Sequence, residues 1–493
     1  MNLLKINDGD NVAVALSDIH KDDNVSVEDI SLTALEDIAR GHKIALRDIA
    51  KGEEIIKYGF AIASATEDIK AGSWVHTHNA HTNLSEQGEY SYDHKEYPLP
   101  EVAPHTFKGF RREDGRAAIR NDIWIIPVVG CVNSIAGKLV NDNQDLVKGS
   151  ITGLYSFSHP FGCSQLGDDL DTTAKVLTGL VDHPNAGAVL VLALGCENLT
   201  LAMFQEKLGK WNDERVKFLV CQNEADEYAA ARKILEELAG YAGRFEREDI
   251  DASELVIGMK CGGSDGLSGI TANPTVGRFS DRLVALGGTT ILTEVPEMFG
   301  AEKALFDRCQ DEKIFNEACD MVNDFKKYFV SHGQVVYENP SPGNKAGGIT
   351  TLEDKSLGCV QKGGTAQISG VYRYAEKVKT KGLNLISGPG NDIVSATNLT
   401  AAGAHMVLFT TGRGTPFSAP APTVKISTNS ALYEKKNGWI DFNAGTIAEG
   451  RETVDEAGAR LLEYVISVAS GELTKAEVNG FREISILKDG VVL

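Results

Sequence analysis

The stretch Ile123-Trp124-Ile125-Ile126-Pro127-Val128-Val129 has the length and the continuous apolar character of a strand that is buried on both faces. Three more runs of this kind follow, each separated from the next by a segment with helical patterning: Gly153 to Phe157, Ala188 to Leu194 and Val216 to Val220. Alternation of buried strands with helices predicts a mostly parallel sheet with right-handed crossovers.

Cysteines follow these predicted strands directly. Gly130-Cys131, Gly162-Cys163 and Gly195-Cys196 come after the first three runs, and Cys221 follows the fourth. Ligands of open α/β sheets bind beyond the carboxyl ends of the strands, where these loops are predicted to lie. Two interpretations remain open: the cysteines are small residues that pack at strand ends, or they hold an iron–sulfur cluster, although cluster ligands more often include a close cysteine pair.

A second α/β section begins at Leu255 to Met259 and leads into Cys261-Gly262-Gly263-Ser264-Asp265-Gly266. Its next strand is predicted over Thr289 to Glu294. The glycines would let backbone amides approach an anion. Neither a dinucleotide fingerprint nor a Walker A motif occurs in the sequence, so a nucleotide site is not indicated.

The segment from Tyr337 to Gly364 has no apolar periodicity, which predicts a functional or mobile loop. Together with a glycine loop that contains Arg413, it offers three cations, Lys345, Lys355 and Arg413. We expect them either to form an anion-binding pocket or to be solvated loop charges.

In the first 83 residues, four copies of an Asp-Ile dipeptide are each followed by a β-prone run. Aspartate and glycine supply turn chemistry, so this region is predicted to be a small domain of turns and strands. The copies begin at Asp18, Asp37, Asp48 and Asp68.

The last of these β-prone runs, Trp74 to His78, carries two histidines. In a strand, His76 and His78 would point to the same face about 6.6 Å apart and could bind one divalent ion. His81 could join them or lie in solvent. Direct substrate contact and an ordinary polar strand end are the alternatives.

Domain boundaries follow from these patterns. The proline-containing stretch from Ser85 to Pro104 has no periodic apolar face and reads as a linker. We predict a β-rich domain at 1–95, a linker at 96–105, a middle α/β domain at 106–250 and a C-terminal α/β domain at 251–493.

Composition limits the classes of function. Acidic residues outnumber basic ones by 69 to 49, and the net charge of −20 argues against nucleic acid and anionic membranes as partners. The longest apolar runs reach about ten residues, whereas a membrane span needs about 20. Eight scattered cysteines without a C-x-x-C pair, and no signal peptide, predict a cytoplasmic protein.

Several of these motifs resemble the altronate and galactarate dehydratase family over essentially the whole chain. They include Val75 to Asn79, Gly162 to Gln165, Gly195 to Asn198, Cys261 to Thr271 and Asn339 to Lys355. The Asn344 to Gly348 loop looks closer to the altronate enzymes. The resemblance implies an N-terminal SAF-type β-clip domain, followed here by two α/β domains with mostly parallel sheets.

The resemblance also implies the dehydration of D-altronate to 2-dehydro-3-deoxy-D-gluconate with a divalent metal, Fe(II) or alternatively Mn(II). We assign the metal to His76, His78 and His81. Lys345 and His159 are the candidate acid and base, in an order that the sequence does not fix. The predicted substrate contacts are Lys43, Asn344, Lys355 and Arg413.

Three alternatives stay open at this point. The chain could be a galactarate dehydratase, a sulfo-lyase of a hydroxy-acid sulfonate, or a sugar-acid binding protein without catalysis. A related sulfo-lyase has its small domain as a separate subunit. For any of these functions, we expect a homo-oligomer that binds a small sugar acid.

Overall fold

A small β-rich region and two parallel α/β sheets follow one another along the chain. The computed structural model describes residues 2–84 and 90–493. The predicted fold class is confirmed. Part of the predicted linker, residues 85–89, lies outside the described residues.

The N-terminal region contains nine short strands. They are β1 (Leu3–Leu4), β2 (Val12–Ala15), β3 (Asn24–Val27), β4 (Ile30–Thr33), β5 (Lys43–Ala45), β6 (Glu54–Lys57), β7 (Phe60–Ala65), β8 (Trp74–Val75) and β9 (Ala80–His81). They form sheets of order β1-β2-β5-β8, β3-β4 and β6-β7-β9, and all their pairings are antiparallel.

The Asp-Ile repeats pair with one another. Ile19 bridges Ile38, and Ile49 bridges Ile69. The aspartates cross-connect the same pairs, since the Asp18 carboxylate accepts a hydrogen bond from the Arg40 amide and the Asp37 carboxylate accepts one from the Lys21 amide. The repeat therefore closes the turns of its partner copy, and the isoleucines fill the core.

The middle region adds seven strands and four helices. They are β10 (Thr106–Arg111), β11 (Ala117–Ala118), β12 (Asp122–Pro127), α1 (Asn133–Asp142), β13 (Gly153–Ser156), α2 (Gly167–Val181), β14 (Ala186–Ala193), α3 (Leu201–Leu208), β15 (Val216–Val220), α4 (Glu227–Ala242) and β16 (Arg247–Asp251). A parallel sheet has the order β13-β12-β14-β15, and an antiparallel one the order β11-β10-β16. The four predicted strand positions are confirmed to within a few residues.

The C-terminal region is built on seven parallel strands in the order β19-β20-β18-β17-β21-β22-β23. Its elements are β17 (Val256–Cys261), α5 (Ala272–Ala285), β18 (Thr289–Leu292), α6 (Glu302–Phe306), α7 (Glu312–Ser331), α8 (Pro342–Ala346), α9 (Leu352–Cys359), β19 (Ile368–Tyr372), β20 (Gly382–Ile386), α10 (Asp392–Ala401), β21 (Met406–Thr411), β22 (Thr423–Ser427), α11 (Ser430–Lys435), β23 (Phe442–Asn443), α12 (Val454–Ala469) and α13 (Lys475–Val478).

Two local predictions are wrong. The strand predicted over Trp74 to His78 ends at Val75, because the Asn79 side chain bonds the backbone of His76 and Trp74 and closes a turn. The loop predicted over Tyr337 to Gly364 contains α8 and α9 instead. Every residue of α9 is buried, so this helix has no amphipathic face from which it could have been predicted.

The middle and C-terminal regions are joined by buried contacts. The fully buried guanidinium of Arg120 pairs with Glu477 at 2.8 Å, and Ile484 and Ile486 from the C-terminal tail pack into the core of the middle region. Among the described residues, no helix is long and apolar enough to cross a membrane.

Candidate active site

The candidate site lies where the central strands of the seven-stranded sheet end. Cys261 is the last residue of β17, and Glu294 and Glu297 lie just beyond the end of the adjacent β18. The buried helix α9 brings its final residue, Cys359, to the same place. Carboxyl ends of parallel strands are where open α/β sheets bind ligands.

Cys261, Glu297 and Cys359 form a compact group of potential metal ligands. Their ligand atoms lie within 4.8 Å of one another, and all three residues are buried. The Cys261 thiol donates to the Glu297 carboxylate at 2.9 Å, and its sulfur lies 3.5 Å from that of Cys359. In the part of the chain that the structure describes, this is the one such group of three.

Buried lysines balance the charge of this group. Lys355 pairs with Glu297 at 3.0 Å, and Lys362 lies 3.6 Å from the other oxygen of the same carboxylate. Lys260 pairs with Glu294 at 3.0 Å. Charges this deeply buried are tolerated only when they are paired.

These contacts shift the ionisation of the thiols and the carboxylate. The hydrogen bond with Cys359, helped by the charges of Lys362 and Lys355, lowers the pKa of Cys261 to about 7 against burial and the Glu297 charge. The same bond raises the pKa of Cys359. Burial alone would raise the pKa of Glu297, but the two ammonium groups hold it well below its usual range. Near neutral pH, the Cys261 thiolate and the Glu297 carboxylate are therefore available as metal ligands.

This donor set fits a divalent transition metal. Thiolate and carboxylate ligands together suit a borderline-soft ion such as Fe(II) better than a hard ion such as Mg²⁺, which prefers oxygen ligands alone. Three protein ligands would leave coordination positions for a substrate, as catalytic metal sites require.

An open cleft of about 260 Å³ lies beside the group. The residues that line it are Arg40, Gly41, Asp265, Gly266, Leu267, Gly347, Gly412, Arg413 and Asn429. Arg413 donates to the Gly343 carbonyl at 2.8 Å, and the buried Nε of Arg40 has no partner among the described residues. Two guanidinium groups on one cleft make it suited to a carboxylate.

A second cavity of about 10 Å³ adjoins both the cleft and Cys359 of the buried group. It shares Asp265 and Gly266 with the cleft, and Lys355 and Cys359 are among its other lining residues. Its volume is about that of one water molecule.

The N-terminal region covers the site through a buried charge cluster. Lys43 of β5 and Lys57 of β6 both contact the Asp354 carboxylate of α9, at 2.8 and 2.9 Å. Lys43 also donates to the Gly348 carbonyl. Burial lowers the pKa of Lys43 to about 8, while Asp354 opposes the shift. Lys43, predicted to contact substrate, is instead committed to this interdomain contact.

The three predicted metal-binding histidines do not converge. His76 is buried with its Nδ1 3.1 Å from the Thr350 hydroxyl, whereas His78 is exposed beside Trp74. The exposed His81 donates from Nδ1 to the Ser64 carbonyl at 3.0 Å. Within the described ranges they form no group of three ligand atoms inside 4.8 Å. The reason is the turn at Thr77 to Asn79, which separates side chains that a strand would have aligned.

His159 does not lie at this site. It is buried in the middle region, where its Nε2 donates to the Pro127 carbonyl at 2.8 Å and its Nδ1 accepts from the Phe161 amide at 3.2 Å. Burial lowers its pKa. Both ring nitrogens are hydrogen-bonded to the backbone, and the acid–base role of His159 stays a prediction.

The predicted site residues of the loops differ in their contacts and in their distance from the cleft. The Asn344 side chain donates one N–H to the Ser264 carbonyl and accepts hydrogen bonds from Ser341 in the capping box of α8, and its role as a substrate contact stays a prediction. Lys345 is half-buried, with no side-chain hydrogen bond or ion pair among the described residues, two positions before Gly347 of the cleft. Lys355 and Arg413 line the inner cavity and the cleft, and their roles stay predictions.

Sequence reasoning missed Arg40 and the acidic residues of the site. Arg40 belongs to one of the Asp-Ile repeats, and only the interdomain contact shows that it lines the cleft. Glu294 did carry a signal, because it ends a predicted strand. It has a left-handed backbone with φ of 72°, a conformation that non-glycine residues adopt mainly under structural or functional constraint.

Three family models match the chain in succession. The altronate/galactarate dehydratase SAF domain matches residues 1–83, the D-galactarate dehydratase/altronate hydrolase second domain matches residues 109–243, and the D-galactarate/altronate dehydratase C-terminal domain matches residues 252–492. The chain belongs to the altronate/galactarate dehydratase family.

Relatives agree with this assignment over their full length. Altronate dehydratases of Bacillus subtilis and Escherichia coli are each 52% identical to the chain, with 100% of both sequences covered. Galactarate dehydratase (L-threo-forming) of Escherichia coli is 33% identical, over 95% of this chain and 93% of its own. The predicted resemblance is thereby confirmed.

Proposed function

We propose that the chain is a hydro-lyase that converts D-altronate to 2-dehydro-3-deoxy-D-gluconate and water. The observation that carries this proposal is the end-to-end 52% identity with two altronate dehydratases, against 33% with the galactarate enzyme. The site is consistent with it, since a cationic cleft for a carboxylate adjoins a buried set of acid–base groups.

The chemical difficulty of the reaction is the proton on C2. It lies beside a carboxylate that is already ionised, so its removal produces a doubly charged enediolate. Preorganised positive charge in a site shielded from water is the means of lowering that barrier. The buried ammonium groups of Lys355 and Lys362 supply such charge.

We assign the carboxylate of the substrate to Arg40 and Arg413, which face one cleft. Lys345 is the base that takes the C2 proton, and its position beside that cleft is the support for this role. Lys355, kept protonated by Glu297, stabilises the developing charge. The proton that Lys345 takes from C2 is then available for the departing C3 hydroxyl, which leaves as water.

A divalent metal, Fe(II) or Mn(II), would be held by Cys261, Glu297 and Cys359. When bound, it would polarise the carboxylate and hydroxyl oxygens of the substrate. The short distances between the ligand atoms and their donor chemistry support this assignment.

The test is a panel of aldonic and aldaric acids, with a sulfonated hydroxy acid, assayed anaerobically for 2-keto product with and without Fe(II). We expect D-altronate to be the preferred substrate. Preference for galactarate, release of sulfite, or tight binding without turnover would each replace the proposal with one of the three alternatives.

We also propose a cytoplasmic homo-oligomer without nucleic-acid partners. The net charge of −20 supports the absence of nucleic-acid partners, and the eight free cysteines support the cytoplasmic location. Light scattering should give a multiple of the 53.0 kDa chain mass, and a monomeric mass would contradict it.

A further inference from the structure

Three exposed cysteines of the middle region have no role in the proposed reaction. Cys131, Cys163 and Cys196 follow β12, β13 and β14, and all three are exposed. The sheet order β13-β12-β14 makes these strands consecutive, and both pairings are parallel. The three cysteines therefore lie on the same edge of one sheet, in neighbouring loops.

Hydrogen bonds join these loops to one another. The Gly130 amide donates to the Phe161 carbonyl at 2.9 Å, which joins the first loop to the second. The Leu199 amide donates to the Gly162 carbonyl at 2.9 Å, and the Ser164 amide donates to the Asn198 side chain at 2.7 Å. The second loop is thus joined to the third, and the positions of the cysteines are fixed by this network.

Glycine precedes each cysteine for a steric reason. A Cβ atom at Gly162 would lie 2.0 Å from the Val128 carbonyl oxygen, and one at Gly130 would lie 2.8 Å from the His159 carbonyl oxygen. At Gly195, the reason is the backbone φ of 125°, which residues with a side chain rarely adopt. The small glycines are what close packing at the strand ends requires. The side chain of the next residue is exposed, so packing does not explain why it is a cysteine in all three loops.

We propose that this edge of the middle sheet binds an iron–sulfur cluster through Cys131, Cys163 and Cys196. Thiolates are the protein ligands that such clusters use. In the described part of the chain, the three sulfurs do not come within 4.8 Å of one another. One ion could not bind all three, because metal–sulfur bonds are only about 2.3 Å long, whereas in a cluster each thiolate binds a different iron.

The surroundings of the cysteines match this proposal. The Gln222 amide lies 3.5 Å from the Cys196 sulfur, and hydrogen bonds to sulfur tune such clusters. Three thiolates leave one iron of a four-iron cluster open to water or another small oxygen ligand. The site is distinct from the buried Cys261 and Cys359 group and does not depend on the proposed dehydration.

The test is anaerobic reconstitution of the full chain with ferrous iron, ferric iron and sulfide, followed by measurement of bound iron, acid-labile sulfide and visible absorption. We expect several iron atoms and a similar number of sulfides per chain, together with a broad absorption band at violet to blue wavelengths. Replacing Cys131, Cys163 and Cys196 together by serine should remove the sulfide and the band.

Cys319→Ser is the matched control, since this cysteine lies on α7 in the C-terminal region, and it should keep both. Circular dichroism verifies that the triple variant is folded. Wild-type protein that binds no sulfide, iron binding without sulfide, or a folded triple variant that still forms the cluster would each overturn the proposal.

Discussion

At the scale of single residues, the site depends on charges and thiols whose ionisation is set by contacts far apart in sequence. Cys261 and Cys359 are 98 positions apart and their sulfurs lie 3.5 Å from each other. Lys355 and Glu297 come from different elements and neutralise one another in the interior. Conservative changes at the two cysteines should therefore alter metal binding and chemistry before they alter the fold.

Substitutions can distinguish the two candidate sets of metal ligands, the buried cysteines and the N-terminal histidines. Cys261→Ser and Cys359→Ser should each reduce bound Co²⁺ and weaken its sulfur-to-metal absorption, because each removes one of the two thiolate ligands. Cys319→Ser is the control. If both variants retain full metal while His76→Ala or His78→Ala loses it together with activity, the assignment returns to the histidines.

Metal loading should depend on pH through Cys261. Its pKa is lowered in the folded protein from 9.0 to about 7, so the thiolate is available above pH 7 and is lost as the pH falls through that value. Titration of Co²⁺ affinity from pH 6 to 9 should show weakening below about pH 7. An affinity that is constant down to pH 6 would contradict thiolate ligation.

The arginines of the cleft should control substrate affinity. Arg40→Ala and Arg413→Ala should each raise KM about 10- to 100-fold, since a hydrogen bond to a charged group contributes about 1.5–3 kcal/mol. The control is Arg47→Ala, whose partner is the N-terminal Glu53. Unchanged KM in both cleft variants would place the substrate carboxylate elsewhere.

At the scale of elements, α9 is the helix that connects the site to the N-terminal region. Its Asp354 accepts both Lys43 and Lys57, and its Glu353 accepts hydrogen bonds from Thr82 and the amide of Asn83. The same helix ends at Cys359 of the ligand group. A displacement of the N-terminal region would therefore be transmitted directly to the site.

Asp354→Asn should destabilise the protein by about 3–5 kcal/mol, because it leaves two buried ammonium groups without their shared carboxylate. Denaturant unfolding measures the loss. The matched control is Asp142→Asn, which removes an exposed ion pair with Lys138 and should leave the midpoint unchanged. Equal midpoints for the two variants would show that the buried cluster does not hold the regions together.

At the scale of the whole molecule, the three regions are joined in two ways. The α/β regions share buried contacts through Arg120 and Glu477 and through the C-terminal tail. The N-terminal region joins the rest through the Asp354 cluster and through Gly41, whose carbonyl approaches Gly266 and Gly348 so closely that neither could carry a Cβ. The cleft is thus completed by residues of the N-terminal region.

A chain divided within residues 85–89 should therefore reassemble. Co-expressed fragments are expected to elute together and to retain activity, even in about 1 M salt, because buried pairs are screened far less than exposed ones. Asp354→Asn in the larger fragment should weaken the association. Separation of the wild-type fragments in high salt would indicate that the contact is mainly an exposed electrostatic one.

The sequence alone determined the fold class, because buried strands, turn residues and their alternation with helices are local patterns. It also placed Cys261, Glu294 and Glu297 at strand ends, although it assigned them no role. Only the tertiary structure decided which of these groups meet. The turn after Val75 separated the histidines, and α9, buried on all sides, had no periodicity to reveal it. Its charges are paired by residues about 60 to 310 positions away, and pairing at such distances is a property of the folded chain, since it arises only when separate elements pack together.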